Sequence, residues 1–196
     1  MQFEKFKYSK GATPLDPDEA IGLLPKHIAT QGQLNEWEQA NILDAENLVF
    51  ARKQSNILTL SFCQKLHKKM FDKTWQWAGQ YRHSNKNIGV MWEQVPTQLR
   101  LLLDDINFQL EHNTYSLDEI AARFHHRLVF IHPFPNGNGR HARLMTDILL
   151  FNGKAKKFTW GQQSLLTNNQ TRNDYIDALR AADKGNYDLL LAFVRI

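Results

Sequence analysis

Apolar residues recur at three- and four-residue spacing along most of this chain, as expected for helices that each bury one face. Leu34–Ala51 carries Trp37, Ala40, Ile42, Leu48 and Phe50 among its apolar positions, and Thr59–Phe71 carries Phe62, Leu66 and Met70. Leu99, Leu102, Leu103, Ile106 and Leu110 predict a helix over Pro96–Leu110, opened by a proline. Ser116-Leu117-Asp118-Glu119 reads as a capping box that starts a helix ending near Ile131. Arg140–Phe151 follows, stopped by Asn152-Gly153. Asp174–Ala182 and Tyr187–Val194 read as two closing helices, broken at Lys184-Gly185-Asn186. Ahead of them all, Pro14, Pro17 and Pro25 mark an irregular arm with a short helical turn near Asp18–Leu24.

One stretch breaks the helical period. Trp77–Arg82 and Ser84–Trp92 set aromatic and branched residues between Gly and Asn, which predicts a short β-hairpin or extended flap. The expected architecture is all-α with one β-hairpin flap. Residues 1–54 form an N-terminal arm and helix with a regulatory role in view, and residues 55–196 form the core domain.

Composition narrows the class without naming a chemistry. The 196 residues are 42% hydrophobic, with 12 Phe and 5 Trp, enough for one well-packed domain. The longest apolar runs, Leu128–Ile131 and Leu189–Val194, cannot span a bilayer, so no membrane partner is expected. Met1–Lys10 has no apolar signal-peptide core, and a cytoplasmic protein is the simplest expectation. The single cysteine, Cys63, lies among Leu58, Phe62, Leu66 and Met70 and reads as a buried thiol. The net charge of +4 is mildly basic. The lysine clusters at 65, 68 and 69 and at 154, 156 and 157 lack the interleaved aromatics of a nucleic-acid platform, so no nucleic acid is expected.

Chemistry concentrates between Ile131 and Arg143. A helix ends, His132 follows, and Pro133 forbids helical continuation. Asn136-Gly137-Asn138-Gly139 tolerates positive φ, so successive N–H groups can curl inward. The next helix adds its free N–H groups and positive dipole end, which makes an anion pocket. Arg140 and Arg143 share one face of that helix, and a neutral His132 could take a proton from an attacking hydroxyl. A plain helix–loop–helix turn would account for each residue singly; together they describe phosphoryl or nucleotidyl transfer.

Two other site types are set aside. Gly137-Asn138-Gly139-Arg140-His141-Ala142 fits the glycines of a dinucleotide-binding turn, but no strand precedes it and no Asp or Glu lies between Asp147 and Asp174. His125, His126, His132 and His141 are dense, but no paired cysteine or His-Asp pair accompanies them as zinc ligands. His125, beside Phe124 and Leu128, reads as a packed, hydrogen-bonded histidine.

His132-Pro133-Phe134-Pro135-Asn136-Gly137-Asn138-Gly139-Arg140-His141-Ala142-Arg143 closely resembles the Fic family signature, His-Pro-Phe-x-Asp/Glu-Gly-Asn-Gly-Arg-x-x-Arg. Trp77–Arg82 through Asn87-Ile88-Gly89 is similar to the family's flap, and Arg172–Leu179 through Tyr187 to its C-terminal helices. The region from Pro14 to Ala51, with Thr30–Gln39, is similar to the bacterial subgroup labelled mobile mystery protein B, whose members are associated with a helix-turn-helix companion protein. The resemblance implies a protein adenylyltransferase. His132 would be the general base that activates a Ser, Thr or Tyr hydroxyl of a target protein toward the α-phosphate of ATP. Gly137, Asn138 and Gly139 would form the anion hole, Arg140 and Arg143 would bind the phosphates, and Phe134 would anchor the loop. Tyr175 would border the adenine. Asn87, Ile88, Gly89 and Val90 would hold the target by strand addition.

The sequence departs from the signature at Asn136, where the family's Mg²⁺-binding acid is replaced by an amide, so Asn136 is expected as a weak or outer-shell ligand. Attenuated adenylyl transfer, phosphotransfer, AMP removal, and a weakly catalytic nucleotide-binding regulator of the toxin–antitoxin kind all remain open. Many family members also carry an inhibitory Ser/Thr-x-x-x-Glu-Gly/Asn helix whose glutamate pairs with the second motif arginine, here Arg143. Glu46 precedes an Asn, but Ile42 takes the hydroxyl position and the match is incomplete. Glu36 or Glu38 stands as the substitute, against the plainer reading of both as solvent-facing charges.

Overall fold

A computed structural model describes residues 15–161 and 169–196. Pro14 of the expected arm and the Met1–Lys10 segment lie outside them. Among the described residues the secondary structure is helical: α1 (Pro17–Ile21), α2 (Gln31–Phe50), α3 (Leu60–Phe71), α4 (Val95–His112), α5 (Leu117–Ile131), α6 (Asn138–Asn152), α7 (Asn169–Asp183) and α8 (Asp188–Val194), with one 3-10 turn at Trp92–Gln94.

Local chemistry sets the ends. Thr30 caps α2 reciprocally: its hydroxyl accepts from Gln33 N–H at 3.2 Å while Gln33 Oε1 accepts from Thr30 N–H at 3.2 Å. At α5 only half of the expected box forms. Ser116 Oγ accepts from Glu119 N–H at 3.3 Å, but the Glu119 carboxylate turns to Arg123, at 2.7 and 3.0 Å. A guanidinium one turn along offers charge-assisted bonds that a single backbone N–H cannot match.

α5 and α6, joined by the motif loop, are the central pair. α4 and α8 pack on α5, while α2 and α3 pack on each other and on α6. Ile120, Phe124, Leu128 and Ile131 of α5 and Ala142, Met145 and Ile148 of α6 are fully buried in the shared core. Burial of such side chains contributes roughly 1.5–3 kcal/mol each, which fixes the relative placement of the two helix ends that meet at the site. Cys63 is buried as expected, its thiol pushed up to about 12 by desolvation.

The expected β-hairpin does not form. Among the described residues the one β-bridge is the isolated antiparallel Leu23–Trp75 pair, which ties the N-terminal arm to the turn after α3. Trp77–Trp92 is a run of turns and bends. Side chains take the bonds a ladder would have used: Arg82 holds the carbonyls of Ser84 and Val90, and Asn85 Oδ1 accepts from Trp92 N–H at 3.0 Å. Aromatic and branched residues mark a strand only where a partner strand satisfies the backbone.

Candidate active site

His132 closes α5 in the left-handed conformation (φ 55°, ψ 59°), with its N–H on Leu128 O at 3.2 Å. Pro133 forces the chain out of the helix there, and a non-glycine residue at positive φ is held only by its surroundings. The His132 ring is buried, and its Nδ1 lies 3.3 Å from Val129 O. A carbonyl can only accept, so Nδ1 carries the proton and Nε2 keeps the lone pair. Burial pushes the imidazole pKa down to about 4; the Val129 bond opposes that, and the charges of Arg82 and Lys86 add to it. His132 is therefore a neutral base across the ordinary pH range.

The loop after it is locked from inside. Asn138 reaches back to Phe134, its Oδ1 accepting from the Phe134 N–H and its Nδ2 donating to the Phe134 carbonyl, both at 2.8 Å. Phe134 has no exposed surface and stacks on His67 with ring centroids 3.8 Å apart. Gly137 caps α6 at φ 76°, and a Cβ there would lie 2.5 Å from the Phe71 ring, so glycine is required twice over. A Cβ on Gly139 would meet only Arg143 Nη1, at 3.7 Å, so the first turn of α6 stays open to an approaching anion.

The two motif arginines sit in different surroundings. Arg140 donates to Glu38 Oε2 at 2.6 Å, and Trp75 Nε1 donates to Glu38 Oε1 at 2.7 Å. Glu38 is 4% exposed, so its reading as a solvent-facing charge is overturned. As a substitute it meets Arg140, the first motif arginine, where Arg143 was expected. Glu36 is exposed, as the plainer reading had it. The carboxylates whose charges reach Arg143 are Asp147 and Glu46: burial raises the pKa of each, and Lys157 and Arg143 pull both back.

Arg143 bonds the Tyr175 hydroxyl, which also lies 2.9 Å from His125 Nε2. The Tyr175 ring packs near Phe193, so this residue borders the site through Arg143. His125 is buried and hydrogen-bonded as expected, its pKa pushed down to about 3 by desolvation. Asp147, one turn beyond Arg143, is raised to about 6 by burial against its bonds to Trp160 and Phe158.

The flap lies over the base. Asn87, Ile88 and Gly89 are exposed and Val90 half-buried. A Cβ on Gly89 (φ 104°) would come within 2.8 Å of His132 Cβ. Lys86 is held by Asp16 at 2.8 Å and Glu19 at 2.6 Å, both on or beside α1. Two residues outside the motif escaped sequence reasoning. His67 accepts from Gly79 N–H at 2.9 Å, so its Nε2 carries the proton and donates to Asn136 O at 3.1 Å. Arg82, quoted only as part of the flap, donates to backbone carbonyls on both sides of the site. A single histidine or arginine on an apolar face carries no signal of its own; both are found through the loop they touch.

Asn136 Oδ1 accepts from Gly137 N–H at 2.6 Å, turning the amide oxygen into the loop backbone. No group of three or more His, Cys, Asp or Glu that could hold a metal occurs among the described residues. This donor set does not fit a protein-held magnesium ion, which prefers carboxylate or phosphate oxygens.

Residues 57–150 match the model of the Fic/DOC family. It is 32% identical over 124 residues to the protein adenylyltransferase fic-1 of Caenorhabditis elegans, an overlap of 60% of this chain and 22% of that protein. It is 27% identical over 146 residues to the protein adenylyltransferase Fic of Nematostella vectensis, covering 72% and 33%. The chain thus spans a third or less of these curated relatives. The fold matches the BepC protein of Bartonella tribocorum, solved with bound AMPPNP, at TM-score 0.69 and 18% identity, covering 91% of this chain and 96% of that one.

Proposed function

We propose that the chain is a protein adenylyltransferase that moves AMP from ATP to a Ser, Thr or Tyr hydroxyl of a target protein. The observation that carries the reading is His132, buried and neutral with its Nδ1–H on Val129 O, at the end of α5 facing the start of α6. Nε2 takes the hydroxyl proton as the target oxygen bonds to the α-phosphorus. The bond from that phosphorus to the α–β bridging oxygen breaks, and pyrophosphate leaves. The N–H groups of Gly137, Asn138 and Gly139 meet the phosphate oxygens, and Arg140 and Arg143 balance the charge that builds on them. Protonated His132 then faces Arg82 and Lys86, which favour its release of the proton to water.

The finer parts of the reading follow the same resemblance. Asn87–Val90 pairs with an extended target segment through backbone bonds. Any magnesium would arrive with the ATP, and Asn136 would be at most an outer-shell partner to it. Residues 1–54 regulate the site through α2, a helix-turn-helix companion is the partner we assign, and the protein acts in the cytoplasm as a member of the mobile mystery protein B subgroup.

The test is incubation of wild type and His132→Ala with α-labelled and γ-labelled ATP in host lysate. The reading expects protein-bound label from the α position only, falling about 10²–10⁴-fold in the variant. Label from the γ position would establish phosphotransfer instead. ATP binding without any label would leave a nucleotide-binding regulator.

A further inference from the structure

Arg82 lies outside the motif and 1% exposed, at the junction of flap and base. Its backbone N–H donates to Pro133 O at 3.0 Å, its Nε to His132 O at 2.7 Å and its Nη2 to Ile131 O at 3.4 Å. Three consecutive carbonyls around the base thus bond one residue. The remaining donors face the flap: Nη1 donates to Ser84 O at 2.8 Å, and Nη2 also donates to Val90 O. Ser84 precedes the segment proposed to hold the target, and Val90 is its last residue. All five acceptors are neutral carbonyls, two of them at the C-terminal end of α5, where a cation also complements the helix dipole.

We propose that Arg82 is a positioning residue that fastens the flap to the base loop, so that a hydroxyl laid along Asn87–Val90 arrives in fixed register with His132 Nε2. The proposal rests on the adenylyltransferase reading above. A planar guanidinium with five N–H donors can bond two segments at once, whereas an ammonium is a point charge with three rotating donors. Gly89 completes the junction, because a Cβ there would lie 2.8 Å from His132 Cβ and 2.9 Å from Arg82 Nη2. Flap, guanidinium and base loop are in direct contact, with no space for a side chain between them. Positive φ at His132, a non-glycine residue, shows that the base loop is held in this shape by its surroundings.

Arg82→Lys keeps the charge and loses the fork. It should bind ATP within about twofold of wild type, since Arg82 bonds nothing in the phosphate pocket, while kcat/KM for the target falls about 10²-fold, the scale of a 1 Å misplacement. The KM for the target should rise with it. Gly89→Ala should reproduce the KM effect with Arg82 intact. Hydrogen exchange at the amides of residues 84–90 should quicken in Arg82→Lys while those of α5 and α6 keep their protection. Wild-type target kinetics together with wild-type flap exchange in Arg82→Lys would overturn the proposal. So would a loss of ATP affinity that matches the loss of transfer, since that marks general collapse. If wild type transfers no AMP, the function reading alone fails, and flap exchange still decides whether Arg82 couples the two segments.

Discussion

The base end and the phosphate end of the site hold their arginines in opposite ways. At the base end Arg82 spends its donors on neutral carbonyls, and His132 gives its Nδ1 proton to another carbonyl. At the phosphate end Arg140 rests on the Glu38 carboxylate, and Arg143 lies in the field of Glu46 and Asp147. A base that must stay neutral gains nothing from a neighbouring carboxylate, which would favour its charged form. A phosphate-binding arginine can rest on a carboxylate until a stronger anion takes its place.

Acid should erase this contrast most completely. His132 and His141 are held down to about 4, His125 to about 3 and His67 well below its ordinary value, each by burial, against 6.5 in the unfolded chain. Below 6.5 the unfolded chain takes up protons that the folded chain refuses, so stability falls as pH drops toward 4. Asp147, raised from 3.8 to about 6, works the other way and offsets about one histidine between those values. Near pH 5 the net loss should be about 4 kcal/mol per pH unit. Urea unfolding at pH 7, 6 and 5 measures it, and a flat profile would contradict neutral burial of the four rings.

Breaking the ion pair at the phosphate end should cost stability that no base-end change of equal size would. Glu38→Ala leaves Arg140 and the Trp75 indole without their shared acceptor and should destabilise by about 3–5 kcal/mol. Glu38→Gln, which keeps an acceptor for Trp75, should cost less in the same denaturation assay.

Two smaller changes sharpen the contrast in activity. Glu46→Ala removes a half-buried carboxylate whose charge interacts with that of Arg143. It should raise ATP affinity up to about fivefold, the scale of a partly solvated ion pair; unchanged titration of labelled ATP would rule out a regulatory Glu46. Asn136→Asp keeps an oxygen for Gly137 N–H and adds a second one for magnesium. It should raise AMP transfer by about two- to threefold, measured with labelled ATP across several divalent ions.

The helices and the motif loop were legible in the sequence because both rest on local rules. Spacing of Leu99, Leu102, Leu103 and Ile106 fixes a buried face, and Pro133 with Gly137 fixes a turn, whatever lies around them. The flap was not legible in the same way. Its backbone is satisfied by Arg82 and Asn85 side chains, an arrangement that leaves the same aromatic and branched pattern as a strand. Glu38 and Glu46 share α2, and only packing on α6 separates a buried partner of Arg140 from a carboxylate near Arg143.

The shared acceptor at Glu38 also gives the molecule an optical handle. The Trp75 indole is buried, stacks on Trp77 with ring centroids 5.0 Å apart, and donates to the carboxylate that holds Arg140. A nucleotide that draws Arg140 onto its phosphates changes the hydrogen bond and the local field of this chromophore. If Arg140 binds nucleotide as proposed, intrinsic fluorescence should change on ATP addition with no label attached, and a Trp75→Phe variant should lose that change.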